Sequence, residues 1–99
     1  MYASMKHVAG KNVGQVMMYA LSTCVWCKKT KALLNALGVE YDYIDVDLLT
    51  GQERTEVTHE VARWNPQRSF PTIVVNNSKV IVGYDELKIN QLAEGQGAA

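Results

Sequence analysis

Residues 15–38 read QVMMYALSTCVWCKKTKALLNALG, and the character of the chain changes within them. Gln15 to Leu21 is almost continuously apolar through Val16, Met17, Met18 and Tyr19, which predicts a strand buried on both faces, as central parallel strands usually are. From Val25 to Leu37 the composition turns to Lys, Ala and Leu, with Cys27, Thr30, Leu34 and Leu37 at helical spacing on one face. Gly38 suits the left-handed residue that closes many helices, and Val39 stands where the accompanying hydrophobic contact falls. The two cysteines therefore sit where the strand gives way to the helix.

Further on, Tyr41 to Val46 alternates, with Tyr41, Tyr43 and Asp45 against Asp42, Ile44 and Val46, and predicts a second strand. Strand–helix–strand crossovers are right-handed in nearly all proteins, so the two strands are expected to be parallel with the cysteine-bearing helix on one face. Thr50-Gly51-Gln52-Glu53 matches a capping box, in which Thr50 bonds the third backbone N–H and Glu53 reaches back. The helix it opens passes through Val57, Val61 and Trp64 and stops near Asn65, because Pro66 disfavours helical geometry in the residue before it. Residues 72–75 and 79–82 flank the turn-forming Asn76-Asn77-Ser78 and predict a hairpin. A last short helix covers 85–92. Residues 1–14, with scattered apolar side chains, Gly10 and Gly14, predict an irregular extension, and 95–99 a flexible tail, leaving a domain over 15–94.

A chain of 99 residues, 47% of them hydrophobic, fits one domain with a single self-supporting core. Ten basic and ten acidic side chains cancel, which excludes the basic footprint of phosphate-backbone binding, so no nucleic-acid partner is expected. The first residues lack the apolar stretch of a secretory signal, and no run approaches the roughly 18 apolar residues of a membrane span. A soluble, cytoplasmic protein with no membrane partner is expected. Two cysteines at C-x-x-C spacing in such a chain indicate redox or metal chemistry, not a structural framework.

Cys24, at the entrance of a helix, faces unpaired backbone N–H groups and the positive end of the helix dipole, which favour a thiolate. It is the candidate attacking sulfur. Cys27, one turn deeper and within disulfide reach, is the candidate resolving sulfur. Lys28, Lys29 and Lys31 add positive charge nearby or simply form a solvated face, and no role is assigned to them. Two alternatives compete for the cysteines: small hydrophobes in a core, or half of a zinc site. A zinc site needs two further ligands, and only His7 and His59 remain, without ligand-type spacing. No metal is expected.

Tyr19-Ala20-Leu21-Ser22-Thr23-Cys24-Val25-Trp26-Cys27, followed by a Lys-rich helix, resembles a glutaredoxin active site. Tyr43-Ile44-Asp45-Val46-Asp47, Arg68-Ser69-Phe70-Pro71-Thr72 and Gly83-Tyr84-Asp85 occur in the order and spacing of that family's second strand, proline loop and Gly-Asp element, so the resemblance covers roughly residues 15–93. It implies a thioredoxin-like α/β fold with a four-stranded mixed sheet flanked by helices. It also implies a cis Phe70-Pro71 bond facing the attacking cysteine, with the backbone of Phe70 open to a thiol peptide. In the family, the element matched by Gly83, Tyr84 and Asp85 binds a carboxylate through backbone N–H groups and an ammonium through the Asp. Asp85 also suits a helix cap, and the two roles are compatible. Arg68 either clamps a carboxylate or is solvated. Trp26 stands in place of the usual tyrosine and either faces a partner or packs; the partner-facing role is preferred.

Two departures bear on function. Leu21 occupies the position of a lysine that helps glutathione-using members hold the glycine carboxylate, so the reductant is glutathione, another low-molecular-weight thiol, or a dithiol reductase of the thioredoxin-reductase type. Val25 replaces the usual proline. Some glutaredoxins lacking that proline hold an iron–sulfur cluster between two chains through the attacking cysteine and two small thiols, which makes a cluster carrier the alternative function. The expected activity is thiol–disulfide oxidoreduction on disulfide-containing proteins or small disulfides. No bound cofactor is expected, a small thiol serves as co-substrate, and the chain is expected to act as a monomer.

Overall fold

The computed structural model describes residues 3–95. Its elements in chain order are β1 (Lys6–Val8), β2 (Val16–Ala20), α1 (Val25–Ala36), β3 (Tyr41–Asp45), a 3-10 turn (Val46–Leu48), α2 (Gly51–Trp64), β4 (Thr72–Val75), β5 (Lys79–Val82) and α3 (Glu86–Ala93). The sheet runs β1-β3-β2-β4-β5. β2 and β3 are parallel, as the intervening helix requires, and the other pairings are antiparallel. The architecture is a thioredoxin-like α/β fold.

Side chains of β2 alternate between two cores. Val16, Met18 and Ala20 join Leu34 of α1 and Ile89 of α3 on one face. Tyr19 joins Val57 and Val61 of α2 on the other. Both faces being covered explains why β2 reads as an unbroken apolar run. α1 ends as its sequence predicts: Gly38 takes φ 71°, its N–H bonds the Asn35 carbonyl at 3.1 Å, and the Val39 N–H bonds Leu34 at 3.1 Å. Leu34 and Val39 are both buried in the same core, which completes a Schellman closure. In the β4–β5 turn, Asn76 and Asn77 both take φ 53°, a conformation that Asn tolerates better than most residues.

The sheet has five strands, not the four expected, because residues 6–8 form an edge strand within the segment predicted to be irregular. Lys6 and His7 are exposed, so no hydrophobic alternation marks the strand. His7 lies opposite Asp42, and its Nδ1 is 2.7 Å from the Asp42 carboxylate. The chain then turns back against the end of α1, where the Lys11 N–H bonds Gly38 at 2.7 Å and the Glu40 N–H bonds Lys11 at 2.9 Å. The capping box does not form. Thr50 makes no side-chain cap bond; the Glu53 carboxylate instead accepts the Ser4 N–H at 3.0 Å and its hydroxyl at 2.7 Å. A partner 49 residues away thus displaces the local one. Of the tail expected over 95–99, residues 96–99 lie outside the described residues.

Gly10 is where that return is tightest: a Cβ there would meet the Gly38 carbonyl oxygen at 2.6 Å and the Val39 carbonyl carbon at 2.8 Å. Backbone cannot yield as a flexible side chain can. Gly10→Ala is expected to cost about 1–3 kcal/mol of stability in urea denaturation; an unchanged midpoint would show that the N-terminal return does not support the fold.

Candidate active site

The strand registers gather the site at one end of the sheet. β2 and β3 both exit there, with Ala20 beside Asp45. β4 enters there and β5 exits there, with Thr72 opposite both Tyr19 and Val82. The Cys24 turn, the Asp47 turn, the Pro71 loop and Gly83 are therefore neighbours although they are far apart in sequence.

Cys24 is the N-cap of α1. Its backbone N–H bonds Leu21 at 3.2 Å and its carbonyl accepts the Lys28 N–H at 3.1 Å, while its Sγ accepts the Cys27 N–H at 3.2 Å. The sulfur thus occupies the place a Ser or Asp oxygen usually takes. Cys24 is partly exposed; Cys27 is fully buried, and both are free thiols. Burial, reinforced by the hydrogen bond and the charge of neighbouring Cys24, pushes the Cys27 thiol up to about 12. The pair is chemically unequal.

Ser22 anchors the turn before Cys24. Its N–H donates to Asp47 at 2.8 Å and its hydroxyl to the other carboxylate oxygen. These bonds hold the Asp47 carboxyl below the usual carboxylate range. The tie is therefore complete above that range and is lost as pH falls through the lowered value. Lys31 is drawn away from the solvated face by Asp45 at 3.4 Å and by the Tyr43 ring at 4.0 Å, whereas Lys28 and Lys29 are exposed.

The Phe70-Pro71 bond is cis. Phe70 is a ridge between two depressions. On one side, Trp26, Gly83 and Tyr84 complete a groove of about 220 Å³ with it. Trp26 is 53% exposed, its ring centroid lies 5.7 Å from that of Tyr84, and the Lys29 ammonium is 4.7 Å from the Trp26 ring centre. On the other side, Leu21, Arg54, Thr58 and Arg68 are among the residues around a second groove of about 200 Å³. Gly83 donates its N–H to the Pro71 carbonyl at 2.8 Å, so that group is occupied, while the N–H groups of Tyr84 and Asp85 make no bond among the described residues. Asp85 caps α3, accepting the Lys88 N–H at 3.0 Å. A larger depression between β5 and α3 lies away from the cysteines.

Three contributors escaped the sequence reading. Arg54 comes from the exposed first turn of α2, Asp47 from the 3-10 turn after β3, and Asn65 bonds across the loop to Thr72 at 3.1 Å. Asp47 lies in the Tyr43–Asp47 stretch of the resemblance but has no role of its own there, and Arg54 and Asn65 carry no local motif. Among the described residues, no group of three or more His, Cys, Asp or Glu is placed to hold a metal ion, and no helix is long and apolar enough to cross a membrane.

A cysteine pair at the strand-to-helix junction of such a mixed sheet, beside a cis-proline loop, defines a thiol–disulfide redox protein. The family model for glutaredoxin matches residues 16–81. The chain belongs to the glutaredoxin family, and thiol–disulfide oxidoreduction is its class of chemistry. It is similar to the glutaredoxin of Methanosarcina mazei Go1, with 52% identity over 91% of this chain and 87% of that one and a TM-score of 0.83. Methanoredoxin of Methanosarcina acetivorans is 49% identical over 88% and 92% of the two chains, also with a TM-score of 0.83. An uncharacterized glutaredoxin-like 8.6 kDa protein in the rubredoxin operon of Clostridium pasteurianum is 30% identical over 80% of this chain and 97% of that protein. These relatives lend the iron–sulfur alternative no support.

The inequality of the sulfurs is directly measurable. Iodoacetamide at neutral pH is expected to add one group to the native reduced protein, on Cys24, with Cys27 slower by at least about a hundredfold until the chain is unfolded. Comparable rates at both sulfurs would contradict the assigned geometry.

Proposed function

We propose that the chain reduces disulfides by a two-cysteine route in which Cys24 attacks and Cys27 resolves. The observation that carries this reading is the contrast between a partly exposed Cys24 sulfur at a helix N-cap and a fully buried, protonated Cys27 behind it. The Cys24 thiolate attacks one sulfur of the substrate disulfide, forms a mixed disulfide and expels the other as a thiolate. Cys27 then attacks the Cys24 sulfur and breaks its bond to the substrate, whose second sulfur leaves as a thiolate and takes up the proton Cys27 gives up. The substrate leaves fully reduced, and a Cys24–Cys27 disulfide holds the two-electron oxidation.

The order of steps has an electrostatic basis. Part of what keeps Cys27 protonated is the charge of Cys24 and its hydrogen bond. Both causes disappear once Cys24 is in a mixed disulfide, so Cys27 becomes easier to ionise when it is needed. The substrate backbone pairs with the N–H and C=O of Phe70, which make no bond among the described residues, and an apolar substrate side chain fits the groove of Trp26, Gly83 and Tyr84.

Two electrons return from outside the chain. Glutathione is the co-substrate of the family, yet Leu21 offers no charge where glutathione users have lysine. Arg68 and Arg54 beside it supply cations for a thiol that carries an acidic group. A low-molecular-weight thiol of that kind, glutathione included, or a dithiol reductase regenerates the enzyme, which acts as a cytoplasmic monomer on protein disulfides.

Reduction of the Cys24–Cys27 disulfide by glutathione, compared with a dithiol reductase, tests this reading. Glutathione is expected to act slowly on the wild type and about tenfold faster on Leu21→Lys. Cys27→Ser is expected to lose protein-disulfide turnover by at least about a hundredfold. Full turnover without Cys27, or a disulfide that neither reductant opens, would overturn the two-cysteine route.

A further inference from the structure

We infer that Asn65 is a positioning residue for the substrate: its side chain brackets Phe70 and Pro71 and presents the Phe70 backbone to a disulfide-bearing segment. This rests on the reading that the substrate pairs with Phe70. Asn65 follows α2 and is 3% exposed, with its own N–H bonded to Val61 at 2.7 Å. Its Nδ2 donates to the Ser69 carbonyl at 3.2 Å, the Ser69 hydroxyl at 3.0 Å and the Thr72 hydroxyl oxygen at 3.1 Å. Its Oδ1 accepts the Gln67 N–H at 3.1 Å. Thr72, fully buried, closes the ring by donating to the Ser69 carbonyl at 2.8 Å.

This ring grips the residues on both sides of Phe70-Pro71 and leaves Phe70 itself unbonded among the described residues. Pro71 is tied on the far side by Gly83. Within the loop, Arg68 sits at φ 55°, a left-handed conformation that a residue with a Cβ adopts only when its surroundings hold it there. The Arg68 N–H bonds the Asn65 carbonyl at 2.8 Å, so the same residue fixes that turn as well. Without the Asn65 amide, the segment has fewer ties holding Phe70 extended, and a substrate strand must order it on binding. That cost falls on association, not on the sulfur chemistry.

Asn65→Ala and Thr72→Val remove the bracket from its two ends. Each is expected to raise KM for a peptide disulfide about tenfold, the loss of roughly one hydrogen bond's worth of binding. The kcat and the rate of Cys24 alkylation by iodoacetamide, which needs only the sulfur, are expected to stay within about twofold. If Asn65→Ala fails to fold, the shape-conserving Thr72→Val carries the test. Unchanged KM in a folded variant, or KM and alkylation deteriorating together with the unfolded fraction, would overturn the positioning role. No peptide turnover by the wild type would instead overturn the reductase reading, and this inference with it.

Discussion

The Cys27 N–H points at the Cys24 sulfur across 3.2 Å, and that contact makes a structural necessity coincide with a chemical one. A helix that begins directly after a buried strand has backbone N–H groups in want of an acceptor. Ser, Thr, Asp or Asn usually supplies it. Here the acceptor is sulfur, so the group that completes the helix is also the one proposed as nucleophile. The parallel β2–α1–β3 crossover fixes where this happens, and the hairpin of β4 and β5 brings the proline loop to the same end of the sheet.

Burial makes the two cysteines chemically unequal. Cys27 shares the fate of Leu34 and Met18 as a core side chain, and the desolvation that suits it to the core also suppresses its ionisation. Near the partly exposed Cys24, Phe70 separates an aromatic groove from a cationic one. In the proposed reading the first takes a protein segment and the second an acidic small thiol, so the two electron partners would meet different surfaces.

Much of this was legible in the sequence because it rests on local chemistry. The periodicity of α1, its Gly38 closure, the Asn-rich hairpin and the placing of Cys24 and Cys27 at a helix entrance each depend on residues a few places apart, whereas the cis Phe70-Pro71 bond was implied only by the resemblance to glutaredoxins. What was not legible depends on distance. β1 has three residues with no buried side chain and exists only because β3 offers an edge. The Thr50–Glu53 motif was a correct match to a pattern, yet Glu53 found Ser4 instead. Asp47 and Arg54 matter through what folding brings beside them, and Asn65, read only as the end of a helix, gains its role from Ser69 and Thr72 across the loop.

The central claim, that Cys24 alone meets the substrate first, is tested most directly by trapping the mixed disulfide with a peptide disulfide and locating the modified sulfur by mass spectrometry. Cys27→Ser is predicted to accumulate the adduct on Cys24, and Cys24→Ser to form none at a comparable rate. An adduct forming as readily on Cys27 in Cys24→Ser would contradict the division of roles that the helix cap and the burial impose.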